Sequence, residues 1–387
     1  MGYVLLTAGI GCCLWCLVYS LGIWTVLSSA RLSNIEVAPG DSWPSLSVIF
    51  AARDEEAEIG DALKALMDLH YPSLEIVAVN DRSSDSTGRI IDGMAARDSR
   101  IKAVHIDILP EGWLGKVNAL NRGFMESSGQ WVLFTDADVK LAPDTLKRAL
   151  SYARQKDAEH VVLFPKLLGA SYLLEVAFVA FSILFMTGTR AFMVGRPGSK
   201  AFIGVGAFNL VKRDAFARSK RFEWLKMEVA DDVGVGLLMR DAGAKTAFAF
   251  AEMGVHLVWY ENLRQMVRGM EKNMFSSSWY SYPRLALQVT VLTAFSLSPL
   301  AAFLPSATPG LKALAALAIF LTVALGIFSR RLFISRTTPY FLGPPGFLIV
   351  TFMILNSGIK CALKGGIEWR GTLYPLEWLR KGQRVRL

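Results

Sequence analysis

Between Leu32 and Lys166, short apolar runs alternate with amphipathic stretches, while long apolar runs stand before and after. Residues 47–51, a run ending at Asn80, 101–106 and 131–135 read as buried strands. Residues 55–69 carry Ile59, Leu63 and Leu66 at helical spacing. A second helix holds Ile90, Ile91 and Met94 behind a cap at Ser84 or Asp85, and a third spans 115–125. Pro143 fits the first turn of a fourth. Strands alternating with helices predict βαβ units and a largely parallel sheet. Further on, 202–209 reads as glycine-rich and extended, 229–239 as a helix entered through Asp231-Asp232, 245–250 as a strand, and 262–275 as a basic amphipathic helix.

The apolar runs predict a membrane protein. Residues 3–27 carry no charge and as a helix would span ~37 Å against a bilayer core of ~30 Å. They lack the basic start of a signal peptide and exceed its apolar length of ~7–15 residues, so an uncleaved anchor is expected. Further runs cover 285–304, 313–328 and 341–363, and the apolar stretch 172–194, carrying Glu175 and Arg190, is expected to lie along the interface rather than span. The expected division is an anchor at 1–30, a catalytic domain at 44–280 with an interfacial or membrane-inserted helix at 170–194, transmembrane helices at 285–364 and a basic tail at 365–387. Arg31, just after the anchor, places the domain on the cytoplasmic side of a multi-pass cell (inner) membrane protein. Four spans then put Arg330, Arg331 and Arg336 inside, but the tail from Arg370 to Arg386 outside, against the positive-inside rule. Either the tail is an exception or one segment is re-entrant; Pro344 and Pro345 single out the last.

Composition agrees. Of 387 residues, 52% are hydrophobic, more than an ordinary soluble enzyme carries. The net charge of +9, taken with the anchors, points to anionic headgroups of a bilayer and not to nucleic acid. Cys12, Cys13, Cys16 and Cys361 all lie in apolar stretches and read as small apolar residues, not as a metal site or disulfide, with palmitoylation the alternative. Oligomeric state is unknown at this stage.

The chemistry lies at strand ends. Asp136 and Asp138 follow an apolar strand, and two carboxylates so close repel unless a cation joins them or one is protonated. Mg²⁺ or Mn²⁺ held with diphosphate oxygens resolves this; a solvated turn is the plain alternative. Asp81 ends the second strand, where it accepts hydrogen bonds from a base or ribose or simply forms a turn. Ser83, Ser84 and Asp85 read as caps. Lys116 opens a helix after Gly112 and Gly115, positioned for phosphate oxygens or for solvent. Asp231 and Asp232 either cap a helix, or one caps while the other serves as general base toward an acceptor hydroxyl. Arg264, Arg268 and Lys272, four residues apart, share a helix face suited to a departing diphosphate or to lipid headgroups. His256 reads as structural.

Together these residues resemble family 2 glycosyltransferases of the GT-A fold. The resemblance rests on Val48-Ile49-Phe50-Ala51-Ala52-Arg53-Asp54-Glu55-Glu56, Val79-Asn80-Asp81-Arg82-Ser83-Ser84-Asp85-Ser86-Thr87, Gly115-Lys116-Val117-Asn118-Ala119-Leu120, Thr135-Asp136-Ala137-Asp138 and Asp231-Asp232-Val233-Gly234, in order over about 190 residues. The apolar segments look like the branch that glycosylates lipids, including ceramide glucosyltransferases and bacterial carotenoid- and hopanoid-type enzymes. Arg268-Gly269-Met270-Glu271-Lys272-Asn273 and Trp369-Arg370-Gly371-Thr372-Leu373-Tyr374 look like the bacterial members. The implied fold is a Rossmann-like α/β sheet flanked by helices. The resemblance implies that Ala52, Arg53 and Glu55 line the nucleotide pocket, Asp81 meets uracil, and Lys116 approaches sugar or diphosphate. It further implies that Asp136 faces ribose or metal, Asp138 binds metal, Asp232 is the base with Asp231 on the acceptor side, and the anomeric centre inverts. The expected function is transfer of a sugar, with glucose foremost, from a UDP-sugar to a membrane lipid. A processive polysaccharide synthase and a catalytically silent, nucleotide-sensing membrane protein are the alternatives. Ala51 and Asp54 stand where the family usually has Pro and Asn. Gln265-Met266-Val267-Arg268 is followed by Gly269 where synthases and ceramide glucosyltransferases carry Trp, which counts against both of those assignments.

Overall fold

The structure, a computed structural model, describes residues 2–40, 42–169, 171–330 and 332–387. Arg331 and the expected boundary positions 1 and 170 lie outside the described residues. The strands are β1 (Ala30–Arg31), β2 (Leu46–Ala52), β3 (Leu74–Asp81), β4 (Ile101–Ile106), β5 (Trp131–Phe134), β6 (Lys140–Leu141), β7 (His160–Leu167), β8 (Asn209–Lys212) and β9 (Thr246–Leu257). They form one sheet in the order β1-β9-β7-β8-β5-β2-β3-β4, with β6 on β9. The half β5-β2-β3-β4 is parallel, while β8 runs antiparallel to both neighbours. Parallel pairing puts the ends of β2, β3 and β5 on one edge, and the acidic motifs with them.

Val48, Ile49, Phe50, Ile76, Val77, Val132 and Leu133 are fully buried, as expected of strands covered on both faces. Several elements depart from expectation. The helix expected at 55–69 spans Ile59–Met67, because 53–58 bend into a loop. The next begins at Thr87 behind Ser86, although Asp85 Oδ1 does accept the Thr87 N–H. Pro143 stands before the N-cap Asp144 of the helix Thr145–Lys156, outside its first turn. Residues 202–208 are irregular, and only Asn209 enters a strand. The basic helix ends at Met270, well short of 275. β7 and β8 answer to no expected strand. Pro165 and Lys166 break the apolar run of β7, and β8 is four residues long.

Among the described residues, four helical stretches are long and apolar enough to cross a membrane: Gly2–Ser28, Tyr282–Phe303, Pro309–Phe328 and Thr338–Lys364. Many of their side chains face outward, including Leu6, Leu287, Phe320 and Leu363. Pro344 and Pro345 fall in the first turn of the helix Gly343–Lys364, where proline is tolerated. The apolar helix Tyr172–Gly188 stops short of 194 and is buried over much of its length, with Phe185 near Phe164 of β7 and Phe178 stacked on Trp259.

The C-terminal residues do not trail away. A hairpin of β10 (Gly366–Trp369) and β11 (Thr372–Pro375) leads into the helix Leu376–Gly382. Beyond it the backbone N–H groups of Arg384 and Val385 donate to Glu228 Oε2 at 2.6 and 2.8 Å. The stretch expected as a basic tail is docked on the sheet domain through Glu228.

Candidate active site

Lys116 sits at the centre of the acidic edge. The turn after Leu114 starts the helix Gly115–Glu126, and the ammonium reaches Asp136 Oδ1 at 2.7 Å and Asp231 Oδ2 at 3.5 Å. Burial alone would discharge the lysine, but Asp136, Asp231 and Asp232 outweigh it and hold its pKa above the ordinary value. Asp136 is opposed by burial, but Lys116 holds its carboxyl below the usual range. Asp231 is buried, and burial pushes it up to about 6, against the pull of Lys116.

Asp232 is the more open of the pair. Its Oδ2 accepts the Gly206 N–H at 2.9 Å and its Oδ1 the Val233 N–H at 2.8 Å. Burial raises its pKa, with Lys116 pulling the other way. Neither aspartate is the N-cap of the helix Asp231–Asp241; Ala230 is. The glycines of the 202–209 loop permit this packing. A Cβ on Gly206 would lie 2.5 Å from Asp136 Oδ2 and 3.6 Å from Asp232 Oδ2, and one on Gly204 only 1.8 Å from the Asp232 carbonyl. Asp136 and Asp232, almost a hundred positions apart, therefore meet across one glycine.

A buried polar chain supports that loop. His160, fully buried on β7, lies 3.1 Å from Thr246 Oγ1 and 3.2 Å from Asn209 Oδ1. Asn209 then donates to the carbonyls of Val205 and Asp232. Burial pulls the imidazole down to about 4, so it is neutral at pH 7. Sequence reading missed this pair; a histidine beside an apolar run gave no sign of its partner.

The opposite wall is built from the ends of β2 and β3 and the loops after them. Ala52 is buried at the end of β2. The loops after β2 and β3 are laced together: the Asp54 N–H donates to Ser83 Oγ, Ser84 N–H and Oγ–H to Asp54 Oδ1, and the Glu56 N–H to Asp85 Oδ2. Ser83, Ser84 and Asp85 thus fix loops. Asp81 is buried and bonded by both Nε and Nη2 of Arg82, at 2.7 and 3.0 Å. Arg53 and Glu55 reach the C-terminal hairpin. Arg370 Nη1 donates to the Arg53 carbonyl at 3.0 Å, and Arg370 Nη2 lies 2.5 Å from Glu55 Oε1.

The expected basic face divides. Arg264 and Arg268 remain on the helix Leu263–Met270 and point to solvent, whereas Lys272 lies beyond its end and turns inward. The three therefore do not share one helix face. The Lys272 ammonium stands 3.8 Å over the Trp369 ring; burial and then the charge of Lys116 bring its pKa down to about 8. Gly269, at the position of the missing tryptophan, leaves room for Tyr260, whose ring carbon and hydroxyl a Cβ there would approach to 2.5 and 2.6 Å. Tyr260 is close enough to Asp138 and Asp136 to feel both charges. The His256 ring Nδ1 lies 3.1 Å from the Met253 carbonyl.

Asp138 lies in the cleft, yet its residue surface reaches solvent. Burial, then the charge of Asp136, push its carboxyl up to about 7. Among the described residues no three His, Cys, Asp or Glu groups form a metal cluster. Mg²⁺ in phosphate-transfer sites is usually held by one or two carboxylates, waters and substrate phosphates, not by a protein cage. Two crowded carboxylates, one of them open, are a donor set of that kind.

Residues 47–218 match the family model described as Glycosyl transferase family 2. A probable glycosyltransferase of Bacillus subtilis, YdaM, is 44% identical over 97 residues, covering 24% of this chain and 23% of the relative. A beta-monoglucosyldiacylglycerol synthase of Trichormus variabilis is 30% identical over 141 residues, 34% of this chain and 30% of the relative. A poly-beta-1,6-N-acetyl-D-glucosamine synthase of Staphylococcus epidermidis is 33% identical over 99 residues, 26% of this chain and 23% of the relative. The chain thus spans under a third of each of these relatives' length. Among solved structures, a mannosyltransferase from Pyrobaculum calidifontis in complex with GDP-Man and Mn²⁺ superposes with a TM-score of 0.57 at 17% identity, covering 91% of this chain and 99% of that one. Residues 47–218 thus resemble glycosyl transferase family 2, and the sheet has the fold of that solved mannosyltransferase.

Proposed function

We propose that this protein is an inverting glycosyltransferase that moves a sugar, glucose foremost, from a UDP-sugar to a lipid at the cytoplasmic leaflet of the cell membrane. The observation that carries the reading is the meeting of Asp136 and Asp232 across Gly206, with Lys116 between the acids. Asp232, its pKa raised by burial, is the base that takes the acceptor proton. Its partner Asp231 keeps Lys116 in place on the acceptor side. Lys116 and Lys272 face the charge that grows on the departing diphosphate. Asp81, Ala52, Arg53 and Glu55 form the nucleotide side. A divalent cation, Mg²⁺ or Mn²⁺, held by Asp138 and Asp136 would screen the diphosphate as it leaves. The named activity of the cyanobacterial relative supports a lipid acceptor.

The apolar helices support a membrane setting, and their packing supports one topology. Ser28 leads directly into β1, so the C-terminal end of the first helix is at the domain. Trp15 lies thirteen residues before that end, ~20 Å along a helix. Phe347, near the start of the last helix, packs on Trp15 and on Phe295, so this helix begins near mid-depth. It returns to the domain, where Ser357 Oγ accepts the Phe275 N–H and Asn356 donates to Glu271. Before it, the Phe333 carbonyl accepts the Leu167 N–H, and Arg336 lies 3.6 Å from Glu175. We read this packing as three crossings and one re-entrant helix, with Arg330, Arg336 and the C-terminal residues on the side of the catalytic domain. This removes the conflict with the positive-inside rule and favours the re-entrant alternative over an exceptional tail.

The test is UDP release from UDP-glucose by the purified full chain with bacterial lipid extract and Mg²⁺ or Mn²⁺. Lipid-dependent release that yields a labelled glycolipid is expected. A growing water-soluble polymer in its place would shift the assignment to the synthase alternative. UDP binding without release from any UDP-sugar would favour the silent sensor.

A further inference from the structure

The hairpin Gly366–Pro375 lies outside residues 47–218 that match the family model, yet it reaches into the nucleotide wall at three points. Arg370 bridges the Arg53 carbonyl and Glu55. The Trp369 ring lies under the Lys272 ammonium. The buried Tyr374 hydroxyl accepts the Gly115 N–H at 3.2 Å and bonds Arg82, which itself clasps Asp81.

The turn adds a further observation. Arg370 and Gly371 both have positive φ, +48° and +74°, between the paired residues Trp369 and Thr372. Such two-residue turns favour Asn or Gly at the first position. An arginine there holds a backbone conformation that is unfavourable for a residue with a Cβ. That side chain is half-exposed, and its carboxylate partner is partly open too. An ion pair of this sort adds little net stability, so its replacement by another anion meets little opposition. Arg370 also lies close enough to depress Lys272 electrostatically, so two cations stand together, one of them paired with a partly open carboxylate.

We infer that this hairpin is the fourth wall of the donor site, and that Arg370 exchanges Glu55 for the diphosphate of the bound nucleotide sugar. A guanidinium fork matches paired phosphate oxygens in a way that a lone ammonium does not. Tyr374 is a positioning residue. It acts through Arg82 to hold Asp81 at the nucleobase end. Trp369 keeps Lys272 within the cluster. The inference rests on the nucleotide-sugar reading above and extends it to a segment the family match does not include.

The experiment measures binding of UDP and of uridine to the full chain in lipid nanodiscs by titration calorimetry, for wild type, Arg370→Ala, Arg370→Lys, Tyr374→Phe and a surface control, Lys381→Ala. Thermal unfolding is read in parallel. Arg370→Ala is expected to weaken UDP about tenfold or more while uridine stays within about twofold. Arg370→Lys should recover part of the loss, and Lys381→Ala should match wild type. Tyr374→Phe should weaken UDP and uridine alike, because its effect reaches the base through Asp81. If Arg370→Ala binds UDP as wild type does, at unchanged unfolding temperature, the inference is overturned and the glycosyltransferase reading stands. Equal loss of UDP and uridine together with a lowered unfolding temperature would reduce the hairpin to a structural prop and also overturns it. A wild type that prefers GDP carries the same test with GDP and guanosine, and a wild type that binds neither diphosphate overturns the donor reading and this inference together.

Discussion

Asp232 and Asp231 are neighbours in sequence with different surroundings. Asp231 is buried against Lys116, while Asp232 holds the Gly206 N–H and keeps an open side. Asp232→Asn preserves shape and removes the basic oxygen, so turnover should fall by about 10²–10⁴-fold with UDP affinity little changed. Equal activity in the variant would remove Asp232 from the role of base. His160 supports a pH prediction. The folded chain keeps it neutral to about pH 4, whereas an unfolded chain protonates it below about 6.5. Between these values the unfolded state binds more protons, so stability rises with pH and is lost as pH falls from 6.5 toward 4. The loss attributable to this group is up to roughly 3 kcal/mol. Thermal unfolding at pH 7.5 and 5.0 should therefore show a smaller drop in His160→Gln than in wild type, and parallel drops would count against the assignment. The aspartates were legible in the sequence because strand-end acids are local. His160 was not, since its partners Asn209 and Thr246 lie on other strands.

At the scale of elements, the decisive piece is the irregular 202–209 loop. It reads as extended because glycine and β-branched residues alternate there, but its glycines serve contact with the Asp231–Asp241 helix. Gly206→Ala would force a methyl group to 2.5 Å from Asp136 Oδ2. The neighbouring acids must then part, and activity should drop at least tenfold while the fold survives. Gly204→Ala meets backbone at 1.8 Å and should also destabilise, by about 1–3 kcal/mol. Chemical denaturation alongside a UDP-release assay separates the two effects; matching stability losses with full activity would show that the loop is not a precise spacer. The basic helix illustrates the limits of periodicity. Arg264, Arg268 and Lys272 have the spacing of one face, but the helix stops at Met270, and only Lys272 turns into the site.

At the scale of the molecule, the last helix leads into the C-terminal hairpin beside the candidate site, and the proposed re-entrant path can be tested. In a cysteine-free chain, single cysteines at Gln155, Pro305 and Arg386 report the topology. Gln155→Cys and Arg386→Cys should react with an impermeant maleimide from the same side of sealed vesicles, and Pro305→Cys only from the other. Reaction of Arg386→Cys from the Pro305 side would restore four crossings. The same arrangement explains why β7 borders apolar helices: Phe164 touches Phe185 and Phe333, so the sheet domain and the helices share one core.

What the sequence by itself determined is whatever depends on local order. The parallel β2-β3-β4-β5 half follows from buried runs alternating with helical ones, the acids follow those runs, and the long apolar stretches declare a bilayer-compatible exterior. These signals arise from backbone periodicity and solvent exclusion within a few turns of chain. Tertiary structure decided the rest: which aspartate is open, that a lysine sits between the acids, that Gly206 brings Asp136 to Asp232, and that the C-terminal residues return to the site. Each of these depends on contacts between segments tens to hundreds of residues apart. Side-chain volume and charge select such contacts only once the whole chain has packed.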